Sequence, residues 1–219
     1  MLKKLTEEKL SEILECGISE FAEHGFESAS MKKIAERADI SVGVLYKYYA
    51  DKEAFVMACI RRCLDKLEDF LTDMTATEDK PLNYVRSMIK TLLFYSREHG
   101  DYIRMYHRIT QMSECSAPLA REIEGFTSKM YSEFLAKAQE SGDIRKDIDP
   151  GLFAFFFDNL LMMMQFSYAC PYYSERMKLY GGEGVMESDE YVTEQLLKFM
   201  ESAFTVESND IPHRKEEKQ

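Results

Sequence analysis

Residues 28–52, SASMKKIAERADISVGVLYKYYADK, decide the fold. They divide into two short helices with a tight turn between them, then the first residues of a third. Ile34 and Ala35 supply apolar positions on the first helix, and Ala38, Asp39 and Ile40 make the turn. Ser41 is placed to cap the second helix, with Val44, Leu45 and Tyr48 following at helical spacing. Asp51 is placed to cap the next helix, leaving Lys52 in its first turn. A two-helix hairpin with so short a turn suits the DNA major groove. A purely structural hairpin has the same pattern, so periodicity alone does not separate the two.

The residue identities separate them. Gly25, Ser30, Ile34-Ala35, Ala38-Asp39-Ile40-Ser41-Val42-Gly43-Val44-Leu45-Tyr46-Lys47-Tyr48-Tyr49 and Lys52-Glu53 form one pattern, ungapped from Ser30 to Glu53. It resembles the DNA-binding region of the tetracycline-repressor (TetR) family of bacterial transcriptional regulators. Two positions depart from the family pattern: Asp39 stands where the turn usually has Gly, and Tyr49 where the family has Phe. Asp tolerates a left-handed backbone better than most residues, so the turn is expected to survive. Tyr49 keeps the ring and adds a hydroxyl.

The resemblance implies an all-α chain. Residues 1–52 would be an N-terminal three-helix helix-turn-helix DNA-binding domain, and residues 53–205 a larger C-terminal helical ligand-binding and dimerisation domain. It also implies a homodimer on a double-stranded, pseudo-palindromic operator, acting as a repressor released by a small effector. Half-sites would then lie one helical turn, about 34–36 Å, or a multiple of it apart. The DNA-binding residues carried over are Ser30, Lys32, Val42, Gly43, Val44, Tyr46, Lys47, Tyr48 and Lys52. Tyr46, Tyr48 and Lys52 are assigned to phosphates, because hydroxyls, ammonium groups and helix N-termini suit an anion. Lys32 and Lys47 are assigned to bases, since Lys can donate to guanine, and Val42 or Val44 to a thymine methyl. Gly43 lets the backbone approach the groove wall.

Charge works against nonspecific binding: the 219-residue chain has a net charge of −11. Splitting the chain changes little, because residues 1–52 carry 8 basic and 10 acidic side chains. The local arrangement matters more, since DNA feels charge within a Debye length of about 8–10 Å. Lys32, Lys33, Lys47 and Lys52 fall inside the motif, while most of the acids precede it. The acidic face of the first helix is expected to point away from DNA.

Five cysteines, an odd number without framework spacing, and an N-terminus MLKKLTEEKL without an apolar core point to a reducing cytoplasm. Cys59 and Cys63 stand at i, i+4 and read as small buried apolar residues rather than a metal pair. His24, His99, His107 and His213 form no ligand or catalytic spacing, so no metal or cofactor is expected. An enzyme finds no nucleophile–base pair or phosphate loop to support it. A structural or adaptor dimer with a degenerate reader is the remaining alternative.

Along the chain, Thr6 caps a first helix whose inward stripe is Leu10, Ile13, Leu14, Gly17 and Phe21, ended by Gly25. Helices are expected from Lys52 to about Met74, Leu82 to Glu98, Tyr102 (capped by Asp101) to about Met112, and Pro118 to about Ser141. Asp149 caps and Pro150 opens the next, GLFAFFFDNLLMMMQFSYAC, which is apolar on nearly every side. Asp158, Asn159 and Gln165 interrupt it, which favours a core and partner helix over a membrane span. Gly181, Gly182 and Gly184 mark a loop, and Ser188 starts the last helix. The charged residues 206–219 read as a disordered tail. Leu161 and Met200 are taken as outward positions of the two C-terminal helices, available to a symmetry mate.

Family members bind inducers in the C-terminal part. Here it is rich in Met and aromatics, which line adaptable pockets and also fill cores. The candidate lining is Tyr84, Met88, Tyr95, Tyr102, Met105, Tyr106, Met130, Phe134 and Phe157. An apolar or lipid-like effector follows, and the acidic balance and many tyrosines leave room for a cationic one.

Overall fold

Local capping chemistry sets the starts of the helices. A computed structural model of the chain describes residues 4–74, 81–111 and 117–204. Thr6 accepts the Lys9 N–H at 3.2 Å and opens α1 (Glu7–Ser28). Gly25, at φ 76°, interrupts that helix one turn before its end, in a left-handed conformation that a side chain would resist. Ser30 caps α2 (Met31–Arg37) and Ser41 caps α3 (Val42–Tyr48), each accepting the N–H three residues on. Asp39 turns the chain between them at φ 48°, the left-handed geometry expected of the residue in the family's Gly position. Asp51 accepts the Ala54 N–H at 2.7 Å and opens α4 (Lys52–Met74).

The rest of the described chain is also helical: α5 (Pro81–Glu98), α6 (Gly100–Ile109), α7 (Ala117–Ser141), α8 (Pro150–Ala169), α9 (Pro171–Gly181) and α10 (Asp189–Phe204). Asp149 caps α8 by accepting the Leu152 N–H at 2.9 Å, and Ser188 caps α10. Asp101 does not cap α6. It lies in the first turn, paired with Arg104, and His99 occupies the cap position. The break at residues 75–80, the expected helix end at Met112 and the tail 206–219 lie outside the described residues.

Sequence pattern assigned no element between Cys170 and Gly181, where α9 runs. Pro171 starts it, but it buries no residue, so it carries no apolar stripe for periodicity to reveal.

Two apolar clusters fill the interior. One joins Ile13, Ile18 and Phe21 of α1 and Leu45 of α3 to Phe55 and Cys59 of α4, Ile103 and Met105 of α6 and Phe166 of α8. It runs across position 52, so α1 is packed into the C-terminal helices through α4 and α6. Gly17 makes the α1–α4 crossing possible: a Cβ there would stand 2.6 Å from the Phe55 ring. The second cluster joins α5, α7, α8 and α10 around Val85, Leu93, Leu135, Phe157 and Phe204.

By length and composition α8 could cross a membrane. Its inner face is nonetheless committed to the core through Phe153, Phe157, Leu161, Met164 and Phe166. Its other face leaves Leu152, Phe155 and Phe156 exposed, the latter two at 59% and 56%. Leu161 and Met200 are therefore not outward positions. Both are buried in their own chain, and the outward apolar residues are Phe155, Phe156 and, on α10, Tyr191 and Phe199.

Candidate nucleic-acid interface and effector cavity

Leu45 is the one buried side chain of α3, anchoring the helix on α2 and α1. Anchoring on that side turns the rest of α3 outward. Val42 and Tyr46 are exposed at 37% and 45%, and Gly43 and Lys47 are exposed beside them. Val44 is half-buried. An added Cβ on Gly43 would meet nothing closer than Ser41 Oγ at 3.9 Å, so nothing inside the protein requires a glycine there. Lys32 and Lys33 are exposed in the first turn of α2, and the Lys32–Glu36 pair, at 3.7 Å between two exposed side chains, costs little to break.

Three of the carried-over residues also do structural work. The Ser30 hydroxyl is the α2 cap. The Tyr48 hydroxyl accepts the Leu5 N–H at 2.7 Å, tying the segment before α1 to α3. The Lys52 ammonium donates to the carbonyls of Glu27 at 3.0 Å and Ala29 at 2.7 Å, closing the α1–α2 connection from the start of α4.

One member of the acidic α1 turns inward. Glu20 is fully buried, its Oε1 accepting the Ser30 N–H at 3.1 Å and its Oε2 3.6 Å from Arg37 and 3.8 Å from His24. It fixes the start of α2 from behind. Its spacing in sequence resembles that of the solvated acids around it, so no pattern distinguished it.

The C-terminal helices enclose a narrow cavity of about 60 Å³, room for a few water molecules. Its walls come from α4 (Leu64, Leu67), α5 (Leu92, Tyr95), α6 (Tyr102, Tyr106), α7 (Glu124, Tyr131) and α8 (Asp158, Met162). Of the nine expected lining residues, Tyr95, Tyr102 and Tyr106 are there. Met88, fully buried, packs with Tyr84, Met130, Phe134 and Phe157 in the second apolar cluster, where Tyr84 and Phe134 stand 4.6 Å apart. Met105 meets Cys63 at 3.9 Å, in the first cluster. These six are corrected to core: helical spacing shows that a residue faces inward, not which neighbour it meets. Cys59 and Cys63 are buried too, and burial pushes both thiols up, leaving them protonated and inert.

Polar groups concentrate at one part of the cavity wall. Tyr106 donates to Glu124 at 2.7 Å. Asp158 is pushed up to about 6, first by burial and then by the Glu124 charge. Outside the cavity lies an open cleft of about 960 Å³ lined by Glu15, Arg62, Asp65, Asp69, Tyr95 and Tyr102, among others. Tyr95 and Tyr102 line both spaces, so their rings form part of the wall between them. In that wall the Tyr102 hydroxyl donates to Glu15 of α1 at 2.6 Å, and Arg62 of α4 donates to the same carboxylate at 3.1 and 3.2 Å.

Comparison with known proteins agrees with this layout. The sequence model described as "Bacterial regulatory proteins, tetR family" matches residues 13–59, which hold most of α1 with all of α2 and α3. The HTH-type transcriptional regulator YuxN of Bacillus subtilis is 30% identical over 128 residues, 58% of this chain and 42% of YuxN. This chain thus spans less than half the length of that relative. The HTH-type transcriptional repressor KstR2 of Mycobacterium tuberculosis is 28% identical over 144 residues, 64% of this chain and 72% of KstR2. The solved structure of KstR2, described as a ketosteroid transcriptional regulator, superposes with a TM-score of 0.67 at 22% identity, covering 93% of this chain and 98% of that one. AibR, solved with isovaleryl coenzyme A and operator DNA, superposes at 0.64 and 19% identity over 87% of this chain and 97% of AibR.

Proposed function

We infer the function from one premise: this chain belongs to the TetR family of bacterial regulatory proteins. It is a DNA-binding transcriptional regulator, read here as a repressor that leaves a pseudo-palindromic operator when a small, largely apolar effector binds. The observation that carries this reading is the outward face of α3, where Val42, Gly43, Tyr46 and Lys47 are exposed while Leu45 is the helix's one buried side chain. Tyr46 and Lys47 are free to meet phosphate or base, and Lys32 and Lys33 extend the basic edge from α2. Ser30, Val44, Tyr48 and Lys52 border this face. Lys52 and Tyr48 keep part of their hydrogen-bonding capacity for DNA after their internal bonds are made.

A homodimer would present two such faces. Its interface is assigned to the exposed apolar faces of α8 and α10, where Phe155, Phe156 and Phe199 are each more than half exposed among the described residues. A regulator of this kind acts in the cytoplasm, where its operator is.

The switch is built on the narrow cavity. Ligand pockets are usually 300–1,000 Å³, so an effector of that size must part the helices around Tyr95 and Tyr102. A ligand that prefers the parted state weakens operator binding by the factor with which operator weakens the ligand. A precedent for one fold holding both kinds of partner is AibR, solved in complex with isovaleryl coenzyme A and operator DNA. Fluorescence anisotropy of the full chain on duplexes from upstream of its own gene tests the reading. Salt-sensitive, sequence-selective binding is expected, and uniform weak binding to every duplex would favour a structural dimer.

A further inference from the structure

Asp158 stands in the cavity wall with no hydrogen bond or ion pair among the described residues. The charged group that acts on it is a second carboxylate, Glu124. Tyr106 cannot relieve Asp158, because its hydroxyl proton is committed to Glu124 at 2.7 Å. Two carboxylates facing an apolar space without a cation repel each other and lose hydration. A second polar group in the same cavity is also left over. Tyr95 is only 3% exposed, and its hydroxyl has no hydrogen-bond partner among the described residues. That hydroxyl lies in the electrostatic reach of Cys63 and Tyr102, two further lining residues.

We propose that the cavity takes an amphipathic cation, its apolar body against Leu64, Leu67 and Leu92 and its protonated nitrogen between Asp158 and Glu124, with the Tyr95 hydroxyl meeting a second polar atom. The proposal rests on the effector reading above and narrows it to one chemical class. A cation there gains from both carboxylates in a medium where charges are poorly screened. A carboxylate or phosphate-bearing ligand adds a third negative charge at the same place and is rejected. This chain therefore differs in effector charge from AibR, whose solved ligand is a coenzyme A thioester.

Three compounds with one apolar body separate the possibilities: phenylbutylamine, phenylbutanol and phenylbutyrate, titrated calorimetrically into the full chain at neutral pH. The amine is expected to bind about tenfold or more tightly than the alcohol, with the carboxylate weakest. Asp158→Asn should remove most of that preference and leave the alcohol unchanged. Glu124→Gln should reduce it and serves as the test if Asp158→Asn does not fold by circular dichroism. Tightest binding of the carboxylate, equal binding of amine and alcohol, no binding of any of the three, or an amine preference that survives both substitutions would each overturn the proposal. Duplex binding, measured on the same samples without compound, reports on the regulator reading separately. An amine-binding chain that ignores every duplex would keep this site and lose that function.

Discussion

The Tyr102 hydroxyl donates to both oxygens of the Glu15 carboxylate, at 2.6 and 2.7 Å, joining α6 at the cavity wall to α1 of the DNA reader. Arg62 of α4 holds the same carboxylate, and its second amino group reaches Ser11 at 2.7 Å. Three helices thus meet at one charge, and one of them bears a ring of the cavity wall. Tyr102→Phe keeps the ring and removes the bond. It should cost about 1–2 kcal/mol of stability, because Glu15 keeps Arg62. A double-mutant cycle with Glu15→Gln should return a coupling of about 0.5–3 kcal/mol. Additive effects would mean that this contact does not tie the reader to the cavity.

Gly17→Ala places a Cβ 2.6 Å from the Phe55 ring and 2.8 Å from Cys59 Sγ. The α1–α4 crossing must open, at about 1–3 kcal/mol. Thermal melts should show the loss, and operator affinity should fall with it because α1 sets the pose of α2 and α3. Adding Phe55→Leu should restore part of both. A melting temperature equal to the parent's would show that the crossing has slack.

Lys47 and Lys52 are expected to behave differently. Lys47 is exposed on α3 and assigned to a base, so Lys47→Ala should alter preference among operator variants and leave the melting temperature unchanged. Lys52 holds the Glu27 and Ala29 carbonyls, so Lys52→Ala should lower the melting temperature as well as operator affinity. If Lys52→Ala melts like the parent, its internal bonds carry no weight.

Phe155→Asp or Phe156→Asp should give a folded monomer by sedimentation, since both rings are more than half exposed in the single chain. Leu161→Asp should instead unfold the protein, because that side chain is fully buried among α5, α7 and α8. A Phe155→Asp chain that stays dimeric would move the interface away from α8.

Asp158 gives a pH signature. Its folded value is about 6 against 3.8 for the ordinary group, so between those values the folded chain holds a proton that the unfolded chain has lost. Stability should therefore fall as pH rises from about 4 to 6 and stay level above that. Asp158→Asn removes the penalty and should raise stability near pH 7 by about 1–2 kcal/mol, after allowance for partial solvent screening, with the gain vanishing below about pH 4. Denaturant titrations of both proteins across that range check it. A gain independent of pH would point to a cause other than ionisation.

What the sequence by itself determined is the chemistry of short separations. The caps at Thr6, Ser30, Ser41, Asp51 and Asp149 each close onto an N–H three residues away, and the Asp39 turn and the ungapped run from Ser30 to Glu53 are local as well. Such contacts are legible because the residues that make them are neighbours in the chain. Only the tertiary structure decided which apolar residues are core, which are cavity and which are free. Tyr102 meets Glu15 across 87 residues, and Lys52 finds carbonyls 23 and 25 residues back. The cavity wall draws on five helices, so Tyr95 and Met88, two turns apart on α5, face a void in one case and packed side chains in the other. Periodicity gives each helix an inner face, but the angle at which helices cross decides what that face meets.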